Sequence, residues 1–199
     1  MASAKTKNIY QLKIVLRNIR PPIWRRLLVE DTTLDKLADY IQIAMGWLGG
    51  HLHGFYIHNE RYGIPDPEWG ADAWMIDESG VKMSKVIFPG DKKFIFDYDF
   101  GDGWEHDVLI EKILTAEKGR RYPVCIKGKR ACPPEDVGGP WGYGEFLEAI
   151  NDATNPRHEE LREWIGGGFD PEAFDLDEIN NDLDDAENNV PLWKMFAED

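Results

Sequence analysis

The chain has 199 residues, 42% of them hydrophobic and 12% aromatic, and carries 37 acidic against 23 basic side chains for a formal net charge of −14. That content fills a core of ordinary size for one domain and excludes a fully disordered chain. No apolar run approaches the roughly 18 residues of a membrane span, no signal-type apolar stretch opens the sequence, and two cysteines cannot build a disulfide framework, so the expectation is a cytoplasmic protein with no membrane partner.

In chain order, NIYQLKIVLR (8–17) alternates apolar and polar residues as a strand with one buried face does. Arg20-Pro21-Pro22 breaks it, and IWRRLLVE (23–30) reads as an antiparallel partner. Thr32 is the expected N-cap of a helix whose Leu34, Leu37, Ile41 and Met45 fall at helical spacing and which ends at Gly46 or Gly49-Gly50. LHGFYIH (52–58) is a third strand. Residues 59–91 read as a long irregular excursion. KFIFDYDF (93–100), the Gly101-Asp102-Gly103 turn and WEHDVLIEKIL (104–114) form a β-hairpin. A Gly/Pro-rich loop is expected over 116–141. Helices follow near 143–152 and 156–165, the second opened by Asn155-Pro156, with a shorter one after Asp170-Pro171.

The negative charge is not evenly spread. Residues 1–132 hold 20 Lys and Arg against 18 Asp and Glu, whereas 133–199 hold 3 against 19. Arg17, Arg20, Arg25 and Arg26 lie in a stretch without an acid, and Lys127 and Arg130 belong to a second basic stretch. Such runs are more often solvated faces and partners for the acidic third; the sharper alternative is a phosphate-binding surface for nucleic acid that the net charge conceals.

Several residues could carry chemistry. His51 and His53 share one strand face, a spacing that can place two imidazoles on one zinc, nickel or iron ion or serve two structural hydrogen bonds. Asp99 and Asp102 crowd the hairpin turn. His106 falls on an apolar row with Trp104 and Val108, where a core histidine is the commoner outcome. Cys125 and Cys132, with six residues between them, are spaced too widely for a zinc-ribbon pair; they brace a loop, join the histidines on a metal or form an occasional disulfide. Glu135 and Asp136 sit in a backbone stiffened by Pro133, Pro134, Gly138 and Gly139, and rigid loops of this kind position something. Serine hydrolases, P-loop enzymes and dinucleotide folds are excluded by missing motifs.

The strings RPPIWRR (20–26), IQIAMGW (41–47), HLHGF (51–55), YDFGDGWEH (98–106), CPPEDVGGPWGY (132–143) and FDPEAFDLDEIN (169–180) together resemble, in order and over about residues 8–184, the plasmid pRiA4b ORF-3-like family. The resemblance implies an α+β domain of unknown function found on plasmids and mobile elements. Some members carry a resolvase-like label, but no serine or tyrosine recombinase site can be assembled from these residues.

The expected architecture is one α+β domain over 8–184. It comprises about five largely antiparallel strands with a packed helix (8–115), the loop (116–141) and acidic C-terminal helices (142–184), followed by an acidic tail (185–199). Two functions compete. One is a non-enzymatic interaction module of plasmid or mobile-element type that binds a protein or nucleic acid. The other is a metal-binding site, serving either structure or hydrolysis, that holds a divalent ion such as zinc on some of the nine His, Asp, Cys and Glu residues above. Whether those residues converge separates the two.

Overall fold

Alternation builds the sheet. Asn8–Leu16 (β1) and Trp24–Glu30 (β2) pair antiparallel across the Pro21-Pro22 break, with Lys13 opposite Arg26 and Val15 opposite Trp24. The computed structural model describes residues 7–65 and 75–188. Leu34–Met45 (α1) follows; Thr33, rather than Thr32, precedes it in extended conformation without a side-chain cap bond. Gly46, in the left-handed region, closes α1 by donating its N–H to the carbonyls of Gln42 and Ile43. Next come His53–Ile57 (β3), Glu60–Gly63 (β4), Met75–Asp77 (β5), the single turn Met83–Val86 (α2), Lys93–Tyr98 (β6) and Trp104–Thr115 (β7). Val124–Lys129 (β8) and the helices Gly139–Asn151 (α3), His158–Trp164 (α4) and Leu176–Asn188 (α5) complete the chain. Of the expected acidic tail, 185–188 continues α5 and 189–199 lies outside the described residues.

The strands lie in the order β5-β4-β3-β6-β7-β1-β2-β8, with every neighbouring pair antiparallel except the parallel β4–β5. The expectation of about five strands is therefore corrected: the sheet is mixed and has eight. The five expected strands are its central members. The additions are β4 and β5, of 4 and 3 residues, inside the excursion read as irregular, and β8 inside the loop read as Gly/Pro-rich. Strands of 3 and 4 residues are too short to show a period, and Gly128 breaks the alternation of β8.

One face of the sheet is packed. Tyr10, Leu12, Ile14 and Leu16 of β1 join Leu27, Phe55, Phe96, Tyr98 and Val108 in a core. That core also takes Leu37 and Ile41 of α1, Phe146 of α3, Leu161 of α4 and Leu183 of α5. The alternate residues of β1 (Gln11, Lys13 and Val15) stand on the other face, outside that core. No helix among the described residues is long and apolar enough to cross a membrane.

Candidate functional site

Three segments that are distant in sequence meet where β3 begins, β6 ends and β7 begins. The first is the β6–β7 turn. Asp99 takes φ 52, and its Oδ1 accepts the N–H groups of Gly101 (3.0 Å) and Asp102 (3.4 Å), a local fold that short acidic side chains favour. With Oδ1 so engaged, Oδ2 lies 3.6 Å from Nδ1 of His51. The Asp99 N–H donates to the carbonyl of Leu52 at 2.8 Å, which fixes the turn against the second segment, 51–52.

The third segment is the loop ahead of α3. Glu135 Oε1 accepts the Tyr98 hydroxyl at 2.6 Å and the Leu48 N–H at 3.2 Å, and Asp102 Oδ2 accepts the Gly138 N–H at 3.1 Å. Gly139, at φ 69, rests so closely on the Asp102 carbonyl that a Cβ there would overlap its oxygen. Held by these contacts, Asp136 (φ 59) brings Oδ1 within 3.4 Å of His51 Nε2. The Trp47 indole N–H donates to the Pro133 carbonyl at 3.1 Å, and its ring stacks on Tyr98 at 4.7 Å, so the end of α1 braces the same loop.

His51, Asp99 and Asp136 thus each offer one ligand atom, all within 4.8 Å of one another. The 3.4 and 3.6 Å gaps are not hydrogen bonds of good length. They reach different nitrogens of the ring, Nδ1 to Asp99 and Nε2 to Asp136, so only one of them can be an edge of a single ion's shell. Drawing the set from within 4.8 Å to the ~3.4 Å edge of a tetrahedron of ligands about 2.1 Å from a metal requires the exposed Asp136 to turn. Asp136 is 72% exposed and can rotate, whereas Asp99 is 12% exposed and held. Of the three, Asp136 alone lines a cavity of about 260 Å³, together with Val137, Phe146, Leu161, Arg157 and Trp164.

The other expected ligands lie apart from this group. Asp102 and Glu135 flank it as supports, their oxygens taken by Gly138, Tyr98 and Leu48. His53 is buried against Glu78, Nε2 to Oε1 2.7 Å, and the second Glu78 oxygen has no hydrogen-bond partner among the described residues. His106 is wholly buried, with Nδ1 3.2 Å from the Phe96 carbonyl, and burial pushes its pKa down to about 4. Cys125 and Cys132 remain free thiols, and burial pushes both upward in pKa against the pull of Arg25, which disfavours the thiolate a metal needs.

The basic candidates divide. Arg25 is 3% exposed and faces inward, donating from Nε to Ala44 O (2.7 Å) and from Nη1 to Trp24 O (3.0 Å) and Lys129 O (3.1 Å). Arg130 pairs with Glu172, Arg17 with Glu105, and Arg26 makes two 2.7 Å bonds to Glu111. Arg20 and Lys127 are exposed. Sequence reasoning missed Tyr98, Trp47 and Glu78. Tyr98 and Trp47 stand inside the quoted strings, but only a structure shows that their polar atoms meet the 133–135 loop. Glu78 had no signal at all.

The chain is 41% identical over 181 residues to the uncharacterized protein y4hQ of Sinorhizobium fredii (strain NBRC 101917 / NGR234), a match covering 89% of this chain and 92% of that one. It also superposes on the crystal structure of MM3350, a protein of unknown function from Methanosarcina mazei Go1. The TM-score there is 0.79 at 36% identity, over 87% of this chain and 98% of that one. The model of the plasmid pRiA4b ORF-3-like protein matches residues 8–178. With the strings that build the sheet end all inside that match, the chain belongs to the plasmid pRiA4b ORF-3-like family.

Proposed function

We propose that the protein is a binding module built around a divalent-cation centre at His51, Asp99 and Asp136. The observation that carries this reading is the convergence of three separate segments on one ligand atom each from His51, Asp99 and Asp136, all within 4.8 Å of one another. An imidazole nitrogen with two carboxylate oxygens suits zinc, manganese or iron(II) better than magnesium, which prefers oxygen alone. Three protein ligands leave a position for water or an anionic group, and Asp136 places that position beside the cavity along α3 and α4. Water bound there would be acidified, which is the requirement for hydrolysis.

The test is a calorimetric titration of untagged, chelator-treated protein with Zn²⁺ and Mn²⁺. One ion per chain is expected for the wild type. His51→Ala and Asp99→Asn should each weaken uptake at least tenfold with the circular-dichroism spectrum unchanged. No stoichiometric uptake, or uptake equal in both variants, overturns the proposal.

A further inference from the structure

The face of the sheet that the helices leave uncovered carries a basic row that the protein's own acids only partly neutralise. Cross-strand register puts Lys13 of β1 directly opposite Arg26 of β2, and Arg26 opposite Lys127 of β8; two pairs further along, Val15, Trp24 and Lys129 form the next row on the same face. These side chains share one face. Strands lie about 4.8 Å apart and alternate rows about 7 Å apart, so four cations and an indole occupy a patch roughly 10 Å across. Like charges directly opposite one another cost stability. Among the four, only Arg26 is hydrogen-bonded to an acid among the described residues, donating two 2.7 Å bonds to Glu111, whose carboxylate also feels the charge of Lys13. Lys13 lies 4.9 Å over the Trp24 ring and Arg26 5.2 Å, while Lys127 and Lys129 are exposed, with no side-chain ion pair recorded among the described residues. Arg20, at the turn between β1 and β2, is exposed beyond the end of the rows.

Lysines on an edge strand also guard against stray strand pairing. That role accounts for Lys127 and Lys129 on β8. It leaves unexplained Lys13, two strands further in, and a tryptophan set among the cations on the same face. We propose that this face binds single-stranded nucleic acid, with the lysines on the phosphates and Trp24 offering a stacking surface for a base. A phosphate backbone answers the unpaired charge, and an aromatic ring among cations is how sequence-tolerant single-strand sites are built. A duplex fits less well, because its base faces are covered and no helix stands on this face to enter a groove.

The probe is a fluorescein-labelled oligo(dT) or oligo(rU) of about 20 nucleotides, read by anisotropy over a salt series. The wild type should bind at low ionic strength with a log–log salt slope near −2, from about 0.7 per lysine contact. The surface triple variant Lys13→Gln/Lys127→Gln/Lys129→Gln should lose at least tenfold in affinity and most of the slope, with its melting temperature kept. Trp24→Leu should lose at least fivefold while keeping the slope, the mark of a stacking contact. The proposal is overturned if the wild type does not bind at low salt. It is equally overturned if the triple variant binds as well as the wild type, or if duplex DNA or phosphatidylserine vesicles are preferred.

Discussion

His106 offers a direct test of how burial acts in this core. Its ring has no exposed surface and meets Trp47 edge-on at 5.3 Å; only Nδ1 is bonded, to the Phe96 carbonyl, while Nε2 has no hydrogen-bond partner among the described residues. Desolvation holds the folded-state pKa near 4, against about 6.5 in the unfolded chain. Above the unfolded value both states are neutral, and the full stability is present. As pH falls below about 6.5 the unfolded chain takes up a proton that the folded chain refuses, so stability is lost progressively until the folded value near 4 is reached. A difference of about 2.5 units at 1.36 kcal/mol each gives a loss of about 3 kcal/mol across that window. Carboxylates titrate there too, so the useful quantity is the difference between the wild type and His106→Leu, measured by urea unfolding from about pH 7 to pH 4.5. Leucine gives up one hydrogen bond, about 1 kcal/mol, and removes the unpaired nitrogen, so the two proteins should lie close near neutrality. By pH 4.5, most of the way through that window, the variant should gain about 2 kcal/mol relative to the wild type. Parallel profiles would refute the assignment of His106 as a buried neutral ring.

Three substitutions probe the loop ahead of α3 and the buried Arg25. Gly139→Ala must place a Cβ on the Asp102 carbonyl oxygen at a positive φ, whereas Gly138→Ala bears only the backbone cost of about 1–2 kcal/mol, its nearest neighbour being Gly142 Cα at 3.5 Å. Thermal unfolding should therefore show the Gly139 variant to be the less stable by at least ~1 kcal/mol, with cation uptake weakened only there; equal losses would contradict the docking of this loop on the β6–β7 turn. Arg25→Lys keeps the charge but loses the planar fork that reaches Ala44, Trp24 and Lys129, so chemical denaturation should report a loss of about 2–3 kcal/mol. A loss under ~0.5 kcal/mol would mean that the buried guanidinium does not join β2, β8 and α1.

What could be read from the sequence follows from how each feature is encoded. β1, β2, β3, β6, β7 and α1 show their periods within a single window, because each lays one apolar face on the core. β4, β5 and β8 owe their existence to neighbours, as when Gly63 lies against Met75 and the His53 carbonyl, and no local pattern records that. The site divides in the same way. His51, Asp99 and Asp136 stand in unusual strings, so their residue types drew attention. The separation of Asp136 from Glu135 did not, since adjacent acids look alike until Tyr98 and Leu48 take one of them. Arg25 and Arg26 show the limit most plainly. Neighbours on a strand, they point to opposite faces, one into the core and one to solvent, and a basic run read as a block hides that alternation.

The same alternation bears on the net charge. The C-terminal acids lie largely on helices that pack against the inner face, where α5 meets α1 and β8 and Glu187 reaches Lys36 and Tyr40. The row through Lys13, Arg26 and Lys127 lies on the outer face. Between them stand the sheet and a core about 10 Å thick. At physiological ionic strength the screening length is about 8 Å, so exposed charges on one layer are felt only weakly around the far side of the other. An approaching anion therefore responds to the nearest few side chains rather than to the sum of −14. Local sign governs docking here, and at the β1–β2–β8 end of the uncovered face that sign is positive, whereas β7 adds Glu105, Asp107 and Glu111 beside it.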